Sequence, residues 1–284
     1  MVHFRLHVWR ASDRVRAFNG PSVPLRFLLK AVRAKLSTER PITTPGNRTV
    51  YAVGDLHGRL DQLDRLLVHI RHDRLELLPA ADRPPILIFL GDYVDRGPDS
   101  CGVIERILEL MCGSEFEVRP LMGNHEEAML TFLADADFGP VWAEYGGIQT
   151  LASYGVVPPL WRTDPGEWRR ARDALANRLP LTHRHFLTHL ELMIELGDYL
   201  FVHAGLRPGV PLADQQKHDL LWIREPFLSS DHRSGKVVVH GHTPGKEPYV
   251  GNWRIGVDTG AYASGVLTAV RLSGPDRTLL RSSD

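Results

Sequence analysis

One pattern, repeated three times, constrains this chain more than any other: an apolar run, a glycine, a polar loop, then a helical stretch. TVYAV (49–53) ends at Gly54 and precedes Arg59–Arg71, where Leu60, Leu63, Leu66, Leu67 and Ile70 fall at helical spacing. ILIFL (86–90) ends at Gly91 and precedes Val103, Ile104, Ile107, Leu108 and Met111. FEVRPLM (116–122) ends at Gly123 and precedes a helix over Glu126–Leu133. Strands that alternate with helices in this way predict an α/β sheet.

The remainder of the 284 residues reads differently. His185–Leu196 has a helical look, and the last third is mostly β: YLFV (199–202), KVVV (236–239), WRIGV (253–257) and VLTAVRL (266–272). Residues 135–180 are polar, punctuated by proline and rich in tryptophan, which suggests an insertion or lid. Cys101 and Cys112 are too few for a disulfide framework or an all-cysteine zinc site. No run approaches the ~18 apolar residues of a membrane span, so no transmembrane segment and a cytoplasmic location are expected.

The formal net charge is zero, but it is the sum of unlike parts. Residues 1–48 hold ten Lys/Arg against Asp13 and Glu39, whereas the rest of the chain carries an excess of eight acids. That break sets the domain boundary: a basic N-terminal extension at 1–48 and a catalytic domain at 49–284. Within the extension, Leu25–Leu36 fits a short amphipathic basic helix. Charge runs of this kind are usually solvated, which favours a loosely docked tail over a membrane, nucleic-acid or targeting role.

The chemistry gathers at the strand ends. The loops read Gly54-Asp55-Leu56-His57-Gly58, Gly91-Asp92-Tyr93-Val94-Asp95-Arg96-Gly97 and Gly123-Asn124-His125-Glu126. Two later strands end in His203-Ala204-Gly205 and His240-Gly241-His242-Thr243. Loops at the carboxyl ends of strands form the ligand crevice of open α/β sheets. Aspartate, histidine and an asparagine carbonyl make a mixed oxygen and nitrogen donor set suited to Mn2+, Fe or Zn2+. A carboxylate shared by two ions ~3.5–4 Å apart would build a two-metal site, which suits attack on a phosphoryl group. Arginines could then neutralise the phosphoryl oxygens.

These five ordered motifs resemble the calcineurin-like metallophosphoesterase superfamily, and within it the bacterial and phage branch of the PPP-type serine/threonine protein phosphatases. The resemblance spans roughly residues 49–272. It implies two mixed β-sheets packed as a sandwich and flanked by helices, an α-β-β-α arrangement. It implies Asp55 and His57 as ligands of a first metal, Asp92 as the bridging carboxylate, and Asn124, His203 and His242 as ligands of a second. It implies His125 as the acid that protonates the leaving alkoxide, oriented by Asp95. A carboxylate partner raises a histidine's pKa and suits that role. Arg96, Arg224 and Asn124 correspond to phosphate-binding groups, with Arg224 in the looser segment Leu220-Leu221-Trp222-Ile223-Arg224-Glu225. The implied cofactors are two divalent ions, Mn2+ first, with Fe or Zn2+ as alternatives.

The activity implied is hydrolysis of phosphoserine and phosphothreonine in proteins by a water bridging the two ions. Phosphoproteins or phosphopeptides would be the partners, with no need for nucleic acid. A symmetrical bis(5'-nucleosyl)-tetraphosphate hydrolase shares nearly all these motifs. Such enzymes tend to carry aspartate where this chain has Glu126, which tilts the reading to a protein phosphatase. A metal-dependent nuclease is disfavoured by Pro244, which replaces a further histidine ligand. A non-catalytic phosphoprotein-binding scaffold should have lost ligands, and none is missing. Met122 stands where many eukaryotic members carry a basic residue.

Other residues take plainer readings. His240 fits no ligand slot and reads as a packed strand-end histidine. His183, His185 and His189 read as surface or core residues. Asp258 reads as a buried turn residue, and Trp142, Trp161 and Trp168 as groove-lining or lid-packing residues.

Overall fold

A computed structural model of the chain describes residues 42–44, 48–77, 83–230 and 235–283. The expected tail and its amphipathic helix over Leu25–Leu36 lie outside the described residues. Ile42–Asp284 form one unit. Within it, Thr43 exchanges hydrogen bonds with Asp198: its N–H donates to the carboxylate at 2.9 Å, and its carbonyl accepts from the Asp198 N–H at 3.2 Å. Arg48 pairs with Glu117 at 2.8 Å. These last residues of the charge-defined extension therefore belong to the larger unit, which begins a few residues before the boundary that charge suggested.

The first sheet has the order β10-β9-β1-β2-β3. Its central strands are β1 (Val50–Val53), β2 (Ile86–Phe89) and β3 (Glu117–Pro120), all parallel. β9 (Thr268–Ser273) returns antiparallel beside β1, and β10 (Asp276–Arg281) pairs with β9. The crossovers are α1 (Leu60–Glu76) and α2 (Ser100–Cys112), and α3 (Asn124–Ala134) follows β3. The three expected strand–helix units are thus present, each within a few residues of its sequence-based bounds.

The second sheet runs β4-β5-β6-β8-β7. It comprises β4 (Met193–Leu196), β5 (Tyr199–Val202), β6 (Val237–His240), β7 (Tyr249–Val250) and β8 (Arg254–Gly256). The apolar runs explain the layering, because side chains alternate along a strand. In β1, Tyr51 and Val53 face the helices, whereas Val50 and Ala52 face the second sheet. There they meet Ile194, Phe201, Val237, Val239 and Ile255. The outer face of the second sheet, with Leu200, Val202 and Val238, packs on Leu220, Ile223 and Phe227. The result is the expected sandwich with helices outside both sheets.

One expectation needs correction. His185–Leu196 is not one helix: α7 spans Leu181–Thr188, and Met193–Leu196 is strand β4. The turn at Gly197 and Asp198 lets this segment fold back, so Met193 pairs with Val202 and Leu196 with Tyr199. Burial of Ile194 between the sheets overrides its local helical pattern. His185 and His189 are also four residues apart, with ring centroids 3.9 Å from one another.

The segment 135–180 folds as helices α4 (Gly139–Glu144), α5 (Gly147–Ser153) and α6 (Pro165–Arg178), preceded by a 3-10 turn at Ala136–Phe138. Trp142 and Trp168 are buried against Phe132, and Trp161 is exposed. No helix among the described residues is long and apolar enough to cross a membrane.

Candidate metal centre

Every motif named above except Arg224 comes from a loop at the carboxyl end of a strand. Their backbones are unusual. His57, Asp92, Asp95, Arg96 and His242 have φ of +44°, +54°, +72°, +68° and +62°, the non-glycine residues in this region among those described. Such conformations cost roughly 1–3 kcal/mol each and concentrate at functional sites. Glycine is required beside them. A Cβ on Gly241 would lie 2.0 Å from Asp55 Oδ1, and one on Gly91 would lie 2.6 Å from the Gly123 nitrogen.

Asp92 sits at the middle of the cluster. Its Oδ1 lies 3.4 Å from His203 Nε2, and its Oδ2 lies 3.5 Å from His57 Nε2 and 3.9 Å from His125 Nε2. Two groups of donor atoms follow, each within 4.8 Å: His57, Asp92 and His125, and Asp92, His203 and His242. Asp92 belongs to both. The Asn124 Oδ1 joins the second group, 2.8 Å from His203 Nε2 and 2.9 Å from His242 Nδ1. Asp55 enters neither group. Its carboxylate accepts the His242 N–H, at 3.1 and 3.0 Å to its two oxygens.

These residues fit a divalent cation. His242 Nε2 is buried with no hydrogen-bond partner among the described residues. His57 Nδ1 is 3.0 Å from the Val94 carbonyl, and His203 Nδ1 is 2.8 Å from that of Leu90. Each ring is thereby turned to present Nε2, the usual orientation of a metal-ligating histidine. Burial holds these imidazoles neutral, lowering His57 to about 3 and His242 to about 2, with His203 lowered also. Neutral imidazole is the ligand form. Burial, reinforced by neighbouring acids, raises Asp55 well above the carboxylate range and Asp258 to about 6. A bound cation would relieve that crowding of negative charge. Burial opposes the charge on Asp92 too, but the imidazoles of His203, His125, His57 and His242 hold it well below the usual range.

His125 has a different environment. Its Nδ1 lies 2.7 Å from Asp95 Oδ2, and both residues are buried. Burial works against its charge, yet Asp92 and Asp95 together raise its pKa. Asp95 is held in turn by the Trp142 indole N–H at 3.0 Å and the Thr150 hydroxyl at 2.7 Å. Its own N–H donates to Thr150 Oγ1 at 2.8 Å and to Ser100 Oγ at 3.1 Å.

The arginines lie at the rim. Arg96 Nη1 is 3.1 Å from His57 Nε2, and the guanidinium lies 4.7 Å from the centroid of the Tyr262 ring. Exposed Arg224 donates to the His242 carbonyl at 3.4 Å. Tyr262 also stands edge-on to His57 at 5.3 Å, and Tyr145 to His125 at 6.0 Å.

Glu126 is wholly buried, below the cluster. Its Oε2 accepts the N–H groups of Asp92 and Gly123 at 2.9 Å each, and its Oε1 those of Tyr93 at 2.7 Å and Val94 at 3.2 Å. Burial and Asp92 push its carboxyl up to about 8, while His125 and the N–H groups of Tyr93 and Val94 pull the other way. Both oxygens are taken by N–H groups, so the geometry is built for the carboxylate. Glu126 braces the loop that carries Asp92, and it does not face a substrate.

Sequence reasoning missed these supporting groups. Thr150 and Tyr145 carried no signal as single residues. The pair Gly146-Gly147 did mark a close approach: Gly146 has φ +98°, and its carbonyl accepts the Arg96 N–H at 3.2 Å. His240 is buried edge-on to Phe227, and Asp258 accepts the Gly260 N–H at 2.8 Å, as their plainer readings expected.

The pattern of the calcineurin-like phosphoesterase family matches residues 48–264. The chain belongs to that family. A bis(5'-nucleosyl)-tetraphosphatase PrpE (asymmetrical) of Bacillus thuringiensis strain Al Hakam is 28% identical over 233 residues, covering 77% of this chain and 88% of that protein. The protein of the same name from Bacillus anthracis strain CDC 684 is 27% identical over the same shares. Among solved structures, a candidate diadenosine tetraphosphatase superposes with a TM-score of 0.57 at 21% identity, covering 84% of this chain and 95% of that one. At that identity the likeness concerns the fold.

Proposed function

We propose that this member of the family is a metal-dependent phosphohydrolase. The observation that carries the reading is Asp92, one buried carboxylate shared by two donor groups. Asp55, His57, Asp92, Asn124, His203 and His242 would hold two divalent ions, Mn2+ in our reading. When bound, those ions supply the positive charge that polarises phosphoryl oxygens and acidifies the attacking water.

The chain's own residues do the rest. Arg96, Arg224 and the Asn124 side chain bind the phosphoryl oxygens; to do so, Arg96 leaves His57 Nε2 and slides along the Tyr262 ring. His125, fixed through Nδ1 on Asp95, delivers the Nε2 proton to the leaving oxygen. Asp95, held at both oxygens, stabilises the imidazolium and fixes its orientation.

Phosphoserine and phosphothreonine in proteins are the substrates expected from sequence. A second reading, dinucleoside tetraphosphates, draws support from the names of the relatives, which are of the asymmetrical rather than the symmetrical kind. It also gains from the place of Glu126, which no longer argues for one substrate over the other. Purified protein should be analysed for metal and assayed on p-nitrophenyl phosphate, a phosphoserine peptide and diadenosine tetraphosphate. Metal-replete, folded protein that hydrolyses none of them would overturn the reading.

A further inference from the structure

Arg96 and Tyr262 form a stacked pair between two cavities of opposite character. The first, about 560 Å³, is walled by the loops after β1 and β2 and carries Asp61, Asp64 and Asp99. Its own cation, Arg59, is already committed to Asp61 at 2.7 Å and to the Ala261 carbonyl at 2.8 Å. The second, about 450 Å³, is walled by the 135–180 segment and contains Tyr145, Gln149 and Arg162. Arg162 has no acidic partner for its guanidinium among the described residues, and Glu144 is the one carboxylate in that wall. Arg96 lines both cavities.

The side on which a leaving group departs follows from the acid. His125 stands beside Tyr145, whose ring lines the second cavity. Electrostatics points the same way. On the first side a leaving group with further negative charge meets no free cation but Arg96: Arg59 is spent on Asp61, Asp64 is paired with Arg106, and Asp99 accepts the Gly102 N–H. On the other side it is met by an uncommitted guanidinium. Tyr145 and Tyr262 both line this cavity, and aromatic side chains in such a wall suit contact with a flat group. A phosphoserine side chain would use none of this.

We propose that the cavity between Tyr145 and Tyr262 is a leaving-group subsite, and that Arg162 binds a second phosphate on that leaving group. The ligand class is a nucleoside polyphosphate: the phosphates run from Arg96 to Arg162, and the base lies against the tyrosines. The proposal rests on the second reading above. Arg162 is a specificity-determining residue in it, away from the groups that break the bond. Guanidinium suits the role because it binds phosphate through paired N–H donors, which lysine does not match.

The test compares wild type with Arg162→Ala and Arg162→Lys, all Mn2+-loaded. The readout is the ratio of kcat/KM for diadenosine tetraphosphate to that for p-nitrophenyl phosphate, which has no second phosphate. Arg162→Ala should lower the ratio by about tenfold or more, mainly through KM, and Arg162→Lys should recover part of it. The inhibition constant of tripolyphosphate, measured with Mn2+ in excess, should rise by a similar factor while that of orthophosphate holds. An unchanged ratio, or an equal loss on both substrates, would overturn the subsite. A larger loss on an acidic phosphopeptide than on the dinucleotide would also overturn it, in favour of a peptide occupant. Wild type that cleaves p-nitrophenyl phosphate but not the dinucleotide would refute this inference and leave the phosphohydrolase standing. Failure on every substrate would strike the hydrolase reading itself.

Discussion

The indole N–H of Trp142 donates to Asp95 Oδ2 at 3.0 Å, the same oxygen that lies 2.7 Å from His125 Nδ1. A tryptophan from the helical segment 135–180 therefore helps to hold the residue that orients the proposed acid. Thr150, from the same segment, holds the other oxygen. The segment thus does more than border the site. Trp142→Phe keeps the ring stacked on Phe132 and removes one hydrogen bond to a carboxylate. Such a bond is worth about 1.5–3 kcal/mol. Turnover should fall roughly 10-fold or somewhat more, with KM little changed, as measured on p-nitrophenyl phosphate. A parallel fall in KM and kcat, or none in either, would argue that Asp95 is held well enough without it.

Asp92→Asn removes the carboxylate common to both donor groups. Elemental analysis should find less metal per chain. Turnover should drop by about three orders of magnitude or more, since ~4 kcal/mol of transition-state stabilisation is that large a factor. Folded, metal-loaded Asp92→Asn protein with wild-type activity would refute the shared-ligand assignment.

Glu126→Gln tests the brace. Its carboxylate accepts four N–H groups, and a glutamine would turn an NH2 towards two of those donors. The loss should be about 3 kcal/mol of stability, the scale for disabling a buried charged acceptor. Chemical denaturation would read it as a lower midpoint. If substrate choice is set elsewhere, the ratio of phosphopeptide to dinucleotide activity should hold in whatever activity remains.

Gly91→Ala places a Cβ 2.6 Å from the Gly123 nitrogen at a backbone φ of +102°. Both the contact and the conformation oppose it, so a cost of roughly 2 kcal/mol or more is expected. The thermal midpoint should fall, and so should metal retention, because Gly91 and Gly123 carry Asp92 and Asn124.

Removing metal should destabilise the fold as well as silence it. Asp55, Asp92 and Asp258 crowd one buried region, and burial with mutual repulsion raises Asp55 and Asp258. A ligand that binds only the native state adds stability in proportion to the logarithm of its excess over Kd. Chelation should therefore lower the melting temperature, and Mn2+ should restore it; an identical melting temperature with and without chelator would count against a metal bound by these acids.

Much of this protein was written locally. The apolar runs, the first three closed by a glycine, determined β1, β2, β3, β5, β6, β8 and β9, because a short apolar sequence bounded by a turn needs little more to form a strand between packed layers. The polar residues placed just after those runs had to emerge together at one end of the sheets. Hence Asp92, Asn124, His125, His203 and His242 could be named as one cluster from their order along the chain. The rest required the chain to close on itself. Leu192–Leu196 reads as helix until β5 offers it a pairing partner. Glu126 looks like a substrate marker until its side chain is seen to accept four N–H groups from beneath. Trp142 and Thr150 lie 47 and 55 residues from Asp95, and a hydrogen bond across that interval leaves no periodicity to read. Asp55, one motif among equals in sequence, is drawn to the His242 N–H rather than into either donor group. Local pattern decides where strands stop and which side chains follow them. Only tertiary packing decides which of those side chains meet, and which distant residues hold them still.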